Sequence, residues 1–369
     1  MLAALAAGVL TAAGGGAGAA VARPCGGASG AAPRAARTVL APPPSGSMYH
    51  AAYPDFVGSE DRVSADRIRS FERLARRRVA WAYFSNNWTR GISFPAAKAA
   101  VVHELGRTPF IRLMARSDFG GGADPVYKMQ RIVDGEFDAD LRLWCAAAAA
   151  TDYPLMCEFG TEVNGDWFPW NGRWNGGGTT DGYGDPTLAD GPERFRDAYR
   201  HIVDISRLEG ATNITWVFHV NSDSRPVRAW NTYAAYYPGD DYVDWIGVSV
   251  YGGLEQGDYW GSFRSILSEA YPGLCALSAE KPLAVLEWGM VHRCGHTTQA
   301  RWVGNALANL RAGRWPRVKA VSYWHEDWRN GDGSLSDLRI DASPATLRTY
   351  REGIGGAPFV TQATFLTTP

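Results

Sequence analysis

Runs of apolar, β-branched and aromatic residues recur along the chain, each closed by polar residues and followed by a stretch of different rhythm. The runs are MYHAAYPDF from residue 48, VAWAYFSNNW from 79, PFIRLMARSDF from 109 and PLMCEFGTEVNG from 154. ITWVFHVNSD from 214, WIGVSVYGG from 245, PLAVLEWGMV from 282 and KAVSYWHEDW from 319 complete the series. Their length and β-branched content predict buried strands. Intervening segments such as ADRIRSFERLARRR, FPAAKAAVVHELGR, ERFRDAYRHIVDISRLEG and TQARWVGNALANLRAG place apolar residues at helical spacing, with charges on the opposite face. These predict amphipathic helices. Strands alternating with helices in this way predict an α/β fold, a single (β/α)8 TIM barrel over residues 47–357, with an open doubly wound sheet as the competing architecture.

The ends of the runs separate the two. They finish in Tyr53, Asn86-Asn87-Trp88, Arg116-Ser117-Asp118, Glu162, His219 with Asn221, Tyr251, Glu287 and Trp324-His325. A barrel builds its active site at the C-terminal ends of all its strands, whereas an open sheet gathers ligand at one switch point. No glycine-rich phosphate fingerprint follows a run. The barrel is therefore the reading, and its fourth and seventh strands end in Glu162 and Glu287.

Two carboxyls facing one another across a barrel mouth suit glycosidic cleavage, in which one protonates the departing oxygen and the other attacks the anomeric carbon or activates water. Glu287, between VL and WG, is a costly core filling unless it is paired. An ion pair with a neighbouring Arg is its bland alternative, and an exposed loop acid is that of Glu162. Glu158 is read as lying inside the barrel, paired with an arginine such as Arg112.

Composition adds constraints. The 37 basic and 38 acidic residues are spread without runs and leave a net charge of −1, which points to neither nucleic acid nor an anionic membrane surface. The 15 Trp and 16 Tyr are a surplus that serves a core or a cleft that stacks sugar rings. Cys275 and Cys294 flank one strand closely enough to pair, as do Cys145 and Cys157, although buried free thiols are an equal reading for the second pair. No Cys/His spacing resembles a metal site, and Asn330-Gly331-Asp332-Gly333-Ser334 lacks the spacing and final Glu of a calcium loop. Neither a metal nor a cofactor is expected.

The first 22 residues carry no charge and end in Ala20-Val21-Ala22, a small-residue pattern that signal peptidase reads. They are read as a signal peptide on a secreted chain, although a basic n-region is missing. Residues 23–46 read as a disordered Pro/Gly/Ala linker and 358–369 as a tail. No later stretch is apolar enough for stable membrane insertion.

At this point the motifs become specific. TEVNGDWFPW resembles the acid/base segment of glycoside hydrolase family 26, LEWG its nucleophile strand end, and YYPGDDYVDWIGVSVYG its approach to strand six. The similarity runs through the barrel, roughly residues 48 to 355, in the right order. The resemblance implies a retaining endo-hydrolase with Glu162 as acid/base and Glu287 as nucleophile. It implies that Tyr251 hydrogen-bonds the nucleophile, that Trp167 flanks the acid/base and that Trp324 lies under the sugar at the cleavage point. One departure stands out: the family usually has His before the acid/base, and this chain has Thr161.

Other substrate-facing candidates are Trp170, Trp174 and Tyr183 in the glycine-rich insertion, and Trp88 and His325 at strand ends beside His50, Asp118 and His219. Asn164 is a further candidate, or else a turn former. The expectation is a secreted, monomeric retaining glycoside hydrolase acting on a polysaccharide, foremost endo-β-1,4-mannan. Mixed-linkage glucan or xylan is the alternative within the class, and a catalytically silent polysaccharide-binding barrel the alternative outside it.

Overall fold

The structure, a computed structural model, describes residues 36–368 apart from 256 and 259. The leader at 1–22 and the first part of the linker, through 35, lie outside the described residues. After β1 (Arg37–Leu40) come β2 (Met48–Tyr53), β3 (Trp81–Asn87), β4 (Thr108–Met114), β5 (Leu155–Phe159), β6 (Ile214–Asn221), β7 (Trp245–Tyr251), β8 (Leu283–Gly289) and β9 (Val318–Trp324). Strands β2 to β9 pair in order, all parallel, and Tyr49–Tyr53 of β2 closes the ring against Ala320–Trp324 of β9. These are the eight strands that the apolar runs predict, and they form a closed (β/α)8 barrel.

The helices between them are α1 (Ala65–Ala75), α2 (Ala96–Glu104), α3 (Met129–Val133), α4 (Asp138–Ala149), α5 (Asp190–Leu208), α6 (Tyr233–Tyr236), α7 (Phe263–Leu277), α8 (Gln299–Arg311) and α9 (Pro344–Ile354). Local chemistry starts and orients them. Ser343 accepts from Thr346 N at the start of α9, with Pro344 opening the first turn. Thr298 accepts from Arg301 N at the start of α8. In α5, Asp190 and Glu193 sit in the first turn, where the helix dipole favours acids. A β10 (Asp327–Arg329) and β11 (Leu335–Asp337) hairpin follows β9 on the loop face, and β12 (Phe359–Val360) pairs with the start of β2.

The chain ends depart from the reading of linker and tail. Within residues 36–46, β1 pairs antiparallel with β13 (Phe365–Thr368), Arg37 opposite Thr368 and Leu40 opposite Phe365. Arg37 binds Asp244 with both terminal nitrogens, at 3.0 and 2.6 Å, and Trp245 Nε1 donates to Leu40 O. This clasp lies beneath β6 and β7, at the end of the barrel opposite the strands' C-termini. Four residues amid Pro and Ala carry little local signal, and their partner lies more than 300 residues away.

The four described cysteines, Cys145, Cys157, Cys275 and Cys294, are free, so neither expected pairing forms. Cys145 and Cys157 sit in the core as small hydrophobes, and burial pushes both thiols up.

One irregularity matters for the site. Val248 pairs with Val285, but the next residue, Ser249, pairs with Glu287, so Leu286 is an extra residue on β8. The β9 side agrees, since Val285 pairs with Val321 and Trp288 with Tyr323. This bulge turns Glu287 towards the barrel interior, where strict alternation after Ala284 and Leu286 would turn it out. Gly247 makes the room: a Cβ there would lie 2.2 Å from Leu286 Cδ1. Gly247→Ala is expected to cost about 1–3 kcal/mol through overpacking. Chemical denaturation of the single and double variants checks this, because the penalty should shrink when Leu286 is also replaced by Ala.

Candidate active site

The site begins where β5 stops. Gly160 (φ 68°) and Glu162 (φ 48°) both take left-handed backbone, so the chain turns sharply twice in three residues. For a non-glycine residue this costs about 1–2 kcal/mol and persists where the surroundings hold it. Gly160 is required, because a Cβ would meet the Phe195 ring at 2.5 Å. Gly165 N donates to Glu162 O at 2.8 Å, and Gly165 lets the Trp167 ring fold back against the turn. Trp167 Nε1 then donates to Glu162 Oε2 at 2.8 Å, while the residue stays 41% exposed.

Glu287 comes from β8. Tyr251, at the end of β7, donates its hydroxyl to Glu287 Oε2 at 2.9 Å, and Arg112 Nη2 lies 3.3 Å from Oε1. Burial pushes the Glu287 carboxyl up to about 7; Arg112 pulls against that, and the negative charge of Glu162 adds to it. Both carboxyls, with Trp167, Tyr251 and Trp324, line one open cleft of about 830 Å³. Trp324 forms part of its wall: its ring stacks on Tyr53 at 4.2 Å, and its Nε1 donates to Glu326 Oε2 at 2.9 Å.

Beneath the cleft lies a buried ionic network. Arg112 on β4 contacts Glu60 at 2.9 Å and Glu158 at 3.5 Å as well as Glu287, and lies 5.2 Å from both the Tyr83 and Trp324 rings. The expected Glu158–Arg112 pairing is therefore present. Glu158 also accepts from Tyr83 and meets His219 Nδ1 at 2.9 Å. On the cleft wall, burial together with Glu60 pushes Glu326 up to about 8.

Several residues read as substrate contacts are placed elsewhere. Asn164 is fully buried and staples two loops: its amide donates to Asn221 O and Asp223 O, and its Oδ1 accepts from Asn221 N. Trp170 is buried behind the turn, donating to Thr161 O at 2.7 Å and stacking on Phe168. Trp88 packs in the core against Tyr127 and Phe159. His325 accepts from Ile340 N, packs on Phe71, and is pushed down to about 3 by burial, which keeps it neutral. His50 is likewise a core residue between Arg78 O and Tyr350. The reason is alternation, since a strand end sends successive side chains to opposite faces. Trp324 reaches the cleft, and its neighbour His325 cannot.

Residues that the sequence reading missed as cleft walls include Glu60, Phe168, Glu326 and Trp328. Glu326 stands in the polar WHED end of the last run, a usable signal; Glu60 sits in a loop of mixed polarity that offered none. Among the described residues no group of three or more His, Cys, Asp or Glu is disposed to hold a metal, and no helix is long and apolar enough to cross a membrane.

Comparison with known proteins agrees with this architecture. The family model described as glycosyl hydrolase family 26 matches residues 146–280, a stretch that runs from the end of α4 to the loop before β8. Endoglucanase H of Acetivibrio thermocellus is 31% identical over 303 residues, which is 81% of this chain and 30% of that protein. The chain thus spans less than a third of that relative's length. Beta-1,3-xylanase TXYA of a Vibrio species is 26% identical over 125 residues, 34% of this chain and 22% of that one. Among solved structures, Bacillus subtilis mannanase BCman superposes with a TM-score of 0.56 at 15% identity, covering 87% of this chain and 88% of that one. A Cellulomonas fimi endo-beta-1,4-mannanase gives 0.58 at 18% identity, covering 86% and 72%. At such identities the structures speak for the fold.

The network around Arg112 makes a stability prediction. Arg112→Gln leaves Glu287 buried without its cation and Glu158 with His219 alone, and should destabilise the fold by about 3–5 kcal/mol. Denaturant unfolding checks the size, and adding Glu158→Gln in the same chain should recover part of the loss.

Proposed function

Because the chain belongs to glycosyl hydrolase family 26, we propose that it hydrolyses a β-linked polysaccharide with retention of configuration at the anomeric carbon. The observation that carries this reading is the pairing in one cleft of Glu287, hydrogen-bonded by Tyr251, with Glu162, hydrogen-bonded by Trp167. In the first step a Glu287 oxygen attacks the anomeric carbon while the glycosidic bond breaks and Glu162 gives its proton to the departing oxygen. In the second, Glu162 takes a proton from water, the hydroxide oxygen bonds to the anomeric carbon, and Glu287 leaves as a carboxylate. Tyr251 donates to Glu287 and so favours the form that attacks and departs. A barrel that merely bound polysaccharide would have no use for two carboxyls held in this way.

Motif resemblance placed endo-β-1,4-mannan first among substrates. The 31% identity with an endoglucanase, against the fold-level likeness to mannanases, moves a β-glucan ahead of mannan as the first substrate to test. Release of reducing ends from a panel of soluble mannan, mixed-linkage glucan and xylan decides between them. No release from any of these, nor from other β-glycans, would leave the silent binder standing. Export rests on Ala20-Val21-Ala22, and a mature start near Arg23 in protein sequenced from culture medium would bear it out.

Two kinetic outcomes follow from the roles. Glu287→Ala should abolish turnover on every substrate. Glu162→Ala should hurt the polysaccharide far more than an aryl glycoside with an activated leaving group, and added azide should restore turnover with a β-azide product. An α-azide product would overturn retention. Because the Glu287 carboxyl is pushed up, its inactive protonated form persists to higher pH than for an ordinary carboxyl. The acid limb of kcat/KM should therefore fall near pH 7, and a limb in the ordinary carboxylate range of about 4–5 would contradict the assignment.

A further inference from the structure

We propose that His219 is a positioning residue that grips the chain on both sides of Glu162 and so aims the acid/base carboxyl. This rests on the acid/base role given to Glu162 above. The residue before Glu162 is Thr161, whose Oγ1 lies 2.7 Å from His219 Nδ1. The residue after it is Val163, whose N–H donates to the carbonyl oxygen of His219 at 3.2 Å. One residue of the neighbouring strand β6 thus holds both flanks of a side chain whose backbone is left-handed, a conformation that needs such support to persist.

His219 is itself fixed. It is fully buried, with Glu158 Oε2 at 2.9 Å from Nδ1 and Ser249 Oγ at 2.9 Å from Nε2. Glu158 as a carboxylate can only accept, so Nδ1 carries a proton and shares it between Glu158 and Thr161 Oγ1. Tyr83 OH stands 3.3 Å from the same nitrogen and donates to the other Glu158 oxygen. On the far side, Ser249 is the β7 residue paired in register with Glu287. The imidazole therefore lies between the strand that ends in the acid/base turn and the strand that faces the nucleophile. Burial opposes charging of the ring, but Glu158 in contact with it, together with Glu287 and Glu162, outweighs that effect, so its pKa is raised.

A positioning role for His219 has a signature that a packing role lacks. His219→Ala should lower kcat on polysaccharide by about 100-fold, the scale of loss from a small misplacement of a catalytic group. KM for polysaccharide should change little, and kcat/KM on an activated aryl glycoside, which reports the first step alone and needs no proton from Glu162, should fall less than fivefold. Asn places its amide nitrogen near the position of Nδ1, whereas Gln reaches towards Nε2. His219→Asn should therefore recover most of the activity on polysaccharide, and His219→Gln should not. Should His219→Ala fail to fold, Thr161→Val removes the hydroxyl contact alone, and a loss of about tenfold confined to the unactivated substrate is expected.

Equal losses of kcat/KM on both substrates, recovery by Gln as good as by Asn, or full activity in both His219→Ala and Thr161→Val would overturn the proposal. Failure of the underlying role looks different: Glu162→Ala itself would then lose the two substrates equally. If Glu162→Ala discriminates between them and His219→Ala does not, the acid/base stands and the clamp is wrong.

Discussion

A single guanidinium buried in the mouth of the barrel organises everything above it. Arg112 touches Glu60, Glu158 and Glu287 and lies near the Tyr83 and Trp324 rings. A buried cation survives when anions and aromatic faces replace its water, and here the replacements are also the working parts of the cleft. The charges do not cancel. Arg112 and an imidazole drawn towards its charged form stand against Glu60, Glu158, Glu162 and Glu287, so ionising the last carboxyl is unfavourable. The upward push on Glu287, and on Glu326 nearby, follows from burial within this surplus of negative charge. The proton so retained on Glu287 must leave before that carboxyl can attack, which is why the network sets the acid limit of the site.

The two carboxyls reach their positions by opposite departures from regular structure. Glu287 is turned inward by an extra residue in β8, accommodated by Gly247 on the strand beside it. Glu162 sits beyond the end of β5 on a left-handed turn, with Gly160 and Gly165 giving space to neighbouring aromatic rings. In both cases a glycine on or beside the strand absorbs the irregularity, and the ionic network below holds the strands around it in register. Each carboxyl thus stands at a break in the regular pattern of its own strand.

The barrel was legible because its strands are apolar runs of β-branched and aromatic residues, a local property that survives without knowledge of partners. Glu162 and Glu287 were legible for the complementary reason: a carboxyl closing an apolar run has few structural uses. What escaped was non-local. Nothing near Glu60 in the chain announces Arg112, which lies 52 positions away. Alternation at a strand's last residues depends on where the pleat ends, which misplaced Trp88 and His325 as cleft residues. Asn164 and Trp170 read as a binding loop because polar and aromatic residues in a turn look alike whether they face substrate or staple the turn together. The bulge at Leu286 leaves no trace in the pattern, since Leu suits either face.

The clasp between β1 and β13 bears on how the molecule carries load. Its two strands run antiparallel with Arg37 beside Thr368, so a pull applied at those two residues peels the hydrogen bonds apart one pair at a time. Peeling yields at lower force than sliding, in which all the bonds must break together. β1 is tied to the barrel as well, through Arg37 on Asp244 and Trp245 on Leu40 O, so peeling separates β13 from β1 without drawing on the bonds that close β2 on β9.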